Sequence, residues 1–168
     1  MLDPVQMTIS TLLQYAPLTA LVGANVYGGA LPEHYDPTSN PALVVTPKGG
    51  LSHSEMPLLD VDVQVRVWCG INQFVLGRNV YFQVYNALHG VTNVNFGSNG
   101  RLVSCLESST AQELDDEATG WTGLLASYKL ICLQTDPFAP TDLITPTQTV
   151  AQYVTATEST LTIDGGTF

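Results

Sequence analysis

The residues best suited to catalysis in this 168-residue chain are Ser52, His53 and Glu55, which lie together in the stretch "SHSE". A serine nucleophile needs a general base, and that base needs a third group to orient it. Triad members meet in space on a braced scaffold, whereas these three are neighbours in one predicted loop. We therefore expect that the protein is not an enzyme; a hydrolase that uses Ser52 and His53 is the alternative.

Carboxylates are concentrated in two other places. The stretch "ELDDEATG", residues 113–120, holds four acids but lacks the spacing of oxygen ligands, glycine and terminal acid that a calcium-binding loop requires, so it predicts a solvated acidic turn. Asp60 and Asp62 share one predicted strand face, where paired carboxylates can do acid–base chemistry. Nothing nearby gives the two acids different roles, so they predict a polar strand face.

No other pattern indicates a ligand. Cys69, Cys105 and Cys132 are widely spaced in apolar stretches, without a CxxC pair or a Cys/His cluster, so we expect buried reduced thiols. The glycines of "GANVYGGALPE" match neither a phosphate loop nor a dinucleotide-binding fingerprint. The sequence therefore predicts no catalytic residue, no metal and no cofactor.

The composition favours protein partners over nucleic acid. Only 12% of residues are charged, and 15 acids against 5 bases give a formal net charge of −10. The bases form no patch, which argues against binding to phosphates. Interfaces are depleted of charge, so an oligomer is favoured; a surface rich in Thr, Ser, Asn and Gln is the alternative. No apolar run or signal segment predicts a membrane span or export.

The N-terminal part predicts two helices, a long connection and a strand. Asp3 is a suitable N-cap for a helix that begins at Pro4, and a second short helix in "LTALVG" ends at Gly23. Residues 28–41, "GGALPEHYDPTSNP", predict a long exposed connection. The strand "ALVVTP", residues 42–47, is expected to stop at its proline, with Gly49-Gly50 in a turn or loop.

The middle of the chain predicts a half-buried strand and a helix. In "DVDVQVRVWC", residues 60–69, four valines alternate with polar residues, so one face packs on a core and the other meets water or a partner. Trp68 stands on the polar face, either as an interface anchor or as local packing. Residues 71–90 predict a helix with two apolar stripes, one for the sheet and one for another helix or a subunit.

Two further strands begin at Gly100 and Gly120 around the acidic turn, which favours antiparallel pairing. The predicted fold class is α+β, with an antiparallel or mixed sheet of about four strands and helices packed on one face. Residues 1–133 form the predicted domain. Residues 134–168 predict a linker and a Thr-rich C-terminal arm that leans on its own domain or on a partner; a disordered tail is the alternative.

Three motifs resemble the tail-completion or tail-terminator proteins of long-tailed, siphovirus-type bacteriophages. They are "L-x-A-L-V-G-x-x-V-Y…P" at Leu18 to Pro32, "V-x-V-x-V-W" at Val63 to Trp68, and "ALHG" at Ala87 to Gly90. The resemblance covers residues 5–133, and the arm departs from the short members of that family. The motifs are structural and degenerate rather than catalytic.

The resemblance implies a structural virion protein, assembled in the bacterial host cytoplasm and located at the tail and neck. Such proteins form a homo-oligomeric ring, usually of six subunits, that caps the tail tube and joins the tail to the head connector. Genomic DNA passes through the lumen without specific binding, which agrees with an acidic chain. A head-side connector of similar fold is the alternative, as is a small-ligand binding domain lined by Trp68, Tyr81 and Tyr85.

The candidate interface residues are Tyr27 and residues from the long connection, from residues 47–59, from the polar face of the valine strand and from the arm. They are Tyr27, His34, Tyr35, Leu51, Met56, Leu58, Asp62, Gln64, Arg66, Trp68 and Tyr153. The segment 47–59 is expected to be mobile and to order on docking.

Overall fold

The computed structural model describes residues 3–52, 57–97 and 100–134. Over these residues it has three helices, α1 (Pro4–Gln14), α2 (Ala16–Val22) and α3 (Phe74–Leu88). The strands are β1 (Val26–Gly28), β2 (Ala42–Ser52), β3 (Leu58–Ile71), β4 (Val91–Asn95), β5 (Arg101–Asp115) and β6 (Trp121–Leu133). The predicted residues His53, Glu55, Met56 and Tyr153, and the arm after Gln134, lie outside the described residues.

The described strands form one mixed sheet in the order β1-β2-β3-β6-β5-β4. Only β1 and β2 pair in parallel, and the other neighbours are antiparallel. The α+β class is confirmed, but the sheet has six described strands rather than about four. None of the described helices is long and apolar enough to cross a lipid bilayer.

The start of α1 follows the predicted capping. Asp3 is extended, and its carboxylate accepts hydrogen bonds from the backbone N–H groups of Val5 and Gln6 at 3.0 and 3.2 Å. Pro4 occupies the first turn, where its missing N–H has no intrahelical partner to lose. The predicted end of α2 is also confirmed, since Gly23 caps it with a φ of 61°.

The core lies between one face of the sheet and the three helices. Val61, Val63, Val65 and Val67 of β3 are all buried, as their alternation predicted. In β6 the alternate residues from Leu124 to Cys132 stand beside them in register and are buried too. This inner face therefore holds the apolar half of every central strand, and α1 and α3 cover it.

The predicted stop of β2 at Pro47 is wrong. β2 continues to Ser52, with a register shift between Pro47 and Gly49. The reason is the position of β2 at the side of the sheet: β1 pairs only with Leu43 to Val45, so among the described residues Pro47 has a partner strand on one side alone. A proline is tolerated at such an edge because no ladder N–H is needed there. Gly49 and Gly50 are therefore strand residues, not a turn.

Two strands, β1 and β4, were not predicted from the sequence because they are short. β1 has three residues and β4 has five, too few for a visible alternation. β1 comes just before the predicted long connection and shares only Gly28 with it. β4 follows α3 directly and contains Asn93, which has a φ of 56°. Asparagine is depleted in strands and common in turns, so "VTNVN", with two asparagines, carries no strong strand signal.

The acidic turn is narrower than predicted. β5 continues to Asp115, and only residues 116–120 form the turn. The Asp116 carboxylate accepts a hydrogen bond from the Thr119 hydroxyl at 2.7 Å, and the Asp116 carbonyl accepts one from the Gly120 N–H at 2.7 Å. Glu113 lies within β5 and pairs with Arg78 of α3. The four acids therefore do not share one loop.

Helix α3 is shorter than the predicted 71–90, because Ile71 still belongs to β3 and His89 already caps the helix end. The buried residues Val80, Val84, Ala87 and Leu88 combine members of both predicted stripes. At Gly77 an added Cβ would lie 2.6 Å from Leu124 Cδ1. The glycine that weakens the helix pattern thus lets α3 pack closely on the sheet.

The three cysteines are free and buried, as predicted. Desolvation by burial raises the pKa of the Cys69 and Cys132 thiols to about 11 and that of Cys105 to about 12. The thiolate is the reactive form, so these thiols are inert in the folded chain at neutral pH.

Replacing Gly70 with Ala should destabilise the fold by about 1–3 kcal/mol. An added Cβ at Gly70 would lie 2.7 Å from the backbone Cα of Thr38, which cannot rotate away. Gly28→Ala is the matched control, because its Cβ meets only side-chain atoms at 3.4 and 3.5 Å. Urea unfolding of both variants measures the difference, and equal stabilities would contradict the close packing of residue 38 on β3.

The buried thiols should make the fold less stable at alkaline pH. Their folded pKa values lie above the unfolded value of about 8.5, so their contribution is complete below that pH and is lost as pH rises through 11 to 12. In Cys105→Ala the fall in the free energy of unfolding between pH 8 and 10 should be smaller. Thiol titration should find no reactive cysteine in the native protein at pH 8 and three in urea; rapid native labelling would contradict this assignment.

Candidate assembly surface

The sheet face opposite the helices carries most of the described candidate interface residues. We call it the outer face. Because side chains alternate along a strand, it holds the residues of β3, β6 and β5 that lie between the buried ones. In these three strands it comprises Leu58, Asp60, Asp62, Gln64, Arg66, Trp68, Arg101, Ser104, Leu106, Ser109, Gln112, Leu114, Trp121, Gly123, Leu125, Ser127, Lys129, Ile131 and Leu133.

Trp68 is packed within the chain. Its ring lies edge-on to Trp121, with centroids 6.3 Å apart, and the Arg66 guanidinium carbon lies 5.5 Å from the Trp68 ring centroid. Opposite Trp68 stands Gly123, where an added Cβ would be 3.1 Å from the indole. The small residue in β6 thus makes room for the large one in β3. Local packing accounts for Trp68, although its half-buried ring still contributes to the outer face.

The outer face carries most of the basic residues of this acidic chain. Lys129 donates to Asp60 at 2.9 Å, and this hydrogen bond is the main cause of a raised Lys129 pKa. Arg66 forms no ion pair with a described residue, and its Nε is buried without a described hydrogen-bond partner. Arg101 is exposed and pairs in register with Leu133, which places it on the same side. The outer face therefore holds three of the five bases of the chain.

The long connection folds back on β1. The rings of Tyr27 and Tyr35 meet edge to face at 5.7 Å, and the Tyr35 hydroxyl donates to the Asn40 carbonyl at 2.9 Å. Desolvation is the main cause of a raised pKa at Tyr35. His34, by contrast, is fully exposed beside Glu33 and has a φ of 64°. The structure thus brings the two tyrosines together and leaves His34 at an exposed bend.

The predicted contact loop 47–59 is partly strand. Leu51 lies in β2 opposite Asp60, and its side chain is 73% exposed. Leu58 begins β3, is half-buried and stands opposite Leu133. Met56, which comes between these strands in the sequence, is outside the described residues. Of the described residues near the end of the β2–β3 hairpin, Leu51 is thus the large apolar side chain that solvent reaches.

The proposed ligand pocket is not formed. Trp68 lies on the outer face, whereas Tyr81 and Tyr85 belong to α3 on the other side of the sheet. Tyr81 donates to Glu107 at 2.7 Å, and burial is the first cause that raises its pKa to about 12. Tyr85 stacks on His89 at 4.5 Å, and His89 Nδ1 accepts from the Glu107 N–H at 3.1 Å. These side chains join the end of α3 to β5.

Sequence reasoning missed several exposed apolar residues. Leu106 is 51% exposed on the outer face, Ile71 is 57% exposed, and Val75 is 83% exposed on α3. Leu106 could not be assigned to a face from the sequence, because β5 shifts register at three places. Each register shift breaks the period of two on which the face assignment depends. Ser52 ends β2, and the other two residues of the hydrolase alternative, His53 and Glu55, lie outside the described residues.

Comparison with known proteins gives a fold relationship. No protein-family model and no curated protein matches the chain. A chain in a solved structure described as the virion of a native gene transfer agent particle matches with a TM-score of 0.58. The two are 22% identical, and the match covers 75% of this chain and 91% of that one. At this identity the likeness concerns the fold.

Replacing Trp68 with Ala should lower the free energy of unfolding by about 2 kcal/mol, since it removes the contacts with Trp121 and Gly123. Val75→Ala, at an exposed site on α3, should change it by less than about 0.5 kcal/mol. Urea unfolding at protein concentrations below any association makes the comparison. An unchanged stability in Trp68→Ala would show that the ring is a free interface anchor instead.

Proposed function

We propose that this chain is a structural virion protein of a tailed, phage-like particle, and specifically a tail terminator. The observation that carries the proposal is the fold shared with a chain of the gene transfer agent virion. The motifs at Leu18 to Pro32 and Val63 to Trp68 support the finer assignment, because they lie on β1, β3 and the helices that build this fold. In this role the chain acts by assembly, with no catalytic step.

As a terminator the chain forms a ring, with six subunits as the expected number. The ring binds the last ring of the tail tube and the head connector, and DNA passes through it. The net charge of −10 supports passage without adhesion, because like charges repel. The exposed Leu51 at the hairpin end is the best subunit or tube contact, since an exposed large apolar side chain gains most from burial.

Light scattering of the full-length protein over a range of concentrations tests the ring. A closed oligomer near six times the 18.0 kDa chain mass is the expected result, and added tail tubes should be capped at one end. A strict monomer that also fails to cap tubes would refute the proposal. Finding the protein in purified heads that lack tails would favour the head-side connector.

Leu51→Asp should weaken assembly by about tenfold or more, because it puts a charge into an apolar contact. The matched control is Val75→Asp, which adds the same charge at a site of similar exposure on α3. Light scattering and tube capping measure both variants. An equal loss in the control would show that the hairpin end is not the specific contact.

A further inference from the structure

The outer face has apolar side chains that no described helix covers. It exposes Leu106 and half-buries Leu125 and Ile131, and these side chains gain free energy when they leave water. Soluble proteins rarely leave a broad apolar patch open unless something binds it. A partner on this face would therefore bury side chains that the chain itself leaves in contact with water.

The outer face is also basic, although the net charge of the chain is −10. Its described strand residues include three of the five bases, Arg66, Arg101 and Lys129, and two of the fifteen acids, Asp60 and Asp62. Lys129 pairs with Asp60, whereas the Arg66 Nε is buried without a described hydrogen-bond partner. A buried donor without a partner is costly, so a carboxylate that reaches Arg66 is favoured.

An apolar side chain lies directly beside this unpaired base. Arg66 in β3 stands opposite Leu125 in β6, and the Leu125 side chain is half-buried. The Arg66 guanidinium carbon lies 5.5 Å from the Trp68 ring centroid, which helps to hold the base in place. The surface that fits here therefore carries a free carboxylate next to an exposed apolar side chain.

The end of the sheet at which β3 ends and β6 begins has this combination. The turn 116–120 exposes Glu117, whose carboxylate forms no hydrogen bond or ion pair with a described residue. Ile71 is 57% exposed beside the turn, since an added Cβ at Gly120 would lie 3.6 Å from Ile71 Cγ1. Asp116 keeps the shape of the turn, because its carbonyl and carboxylate both accept hydrogen bonds within it. We call Ile71 and Glu117 the acidic end.

The acidic end and Arg66 are too far apart to pair within one chain. Leu125, which stands opposite Arg66, is four residues along β6 from Trp121, where the turn is already complete. Four strand residues span about 13 Å, and Glu117 lies beyond that point. A carboxylate must come within about 4 Å of a guanidinium to pair with it. The two surfaces can therefore meet only between copies of the chain.

We propose that the acidic end of one copy binds the outer face of the next, with Glu117 paired to Arg66 and Ile71 packed on Leu125. The inference rests on the proposed ring and names its subunit contact. Because the two surfaces differ, the contact is heterologous, and such contacts close into a ring when the rotation between copies allows it. The charge pattern also lets an acidic chain associate with itself, since its bases lie where the acids of a neighbour arrive.

Charge reversal with complementation tests this contact in the full-length protein. Arg66→Glu and Glu117→Arg should each weaken assembly about tenfold or more, because each sets like charges against each other. An equimolar mixture of the two variants should restore assembly to within about threefold of wild type, since each changed surface then meets the opposite charge on the other variant. The double variant should be restored in the same way. Light scattering over a range of concentrations and capping of added tail tubes measure these effects.

Two control variants make the same changes of charge at exposed sites away from this contact. They are Lys48→Glu on β2 and Glu33→Arg in the long connection, and neither should weaken assembly. Urea unfolding confirms that each variant is folded, and Glu117→Arg changes an exposed turn residue without packing contacts to lose. A wild-type ring that both reversals leave intact would overturn this inference alone, and so would a loss that mixing does not repair. A wild type that neither forms a ring nor caps tubes would overturn the proposed function as well.

Discussion

The fold depends on the burial of one face of one strand. The four valines of β3 stand between β2 and β6 at the centre of the sheet, and the helices can cover only the side on which those valines lie. Burying four such side chains contributes roughly 6 kcal/mol or more, a large part of the net stability of a domain this size. Because side chains alternate, the same constraint places Asp60, Asp62, Gln64, Arg66 and Trp68 on the opposite side. The core and the candidate assembly surface are therefore two consequences of one pattern.

How much the sequence could predict follows from this pattern. Where the period is strict, as in residues 60–69, both faces were predicted correctly, and the caps at Asp3 and Gly23 follow local hydrogen bonding. The prediction failed where tertiary context outweighs local signals. Pro47 continues a strand because it lies at an edge, and β1 is held by its pairing with Leu43 to Val45 rather than by its own three residues. The face on which Leu106 lies was not predicted, because each register shift in β5 moves the following side chains to the other face of the sheet, and the amino-acid composition does not show where the shifts occur.

The candidate residues divide by physical role. The aromatic rings of Trp68, Tyr27 and Tyr35 pack against other rings of the same chain, so less of their surface is available for contact with another molecule. Leu51 and His34, in contrast, have exposed side chains. Sequence reasoning grouped them together because residue type predicts which side chains suit an interface, but only packing decides which remain available. Met56 and Tyr153 lie outside the described residues, so this division does not extend to them.

The irregular edges of the sheet have a consequence for the behaviour of the protein at high concentration. A sheet with a regular open edge can recruit further copies strand by strand, and such growth has no natural end. This sheet has no straight row of free backbone groups at either described edge. Pro47 and the register shift beside it interrupt one edge, and the positive φ of Asn93 interrupts the other. In the proposed ring, copies of the chain would then meet through side chains of defined shape, which permits a closed assembly of fixed size. A protein proposed to end the growth of a tube is thus built so that it does not start a fibre of its own.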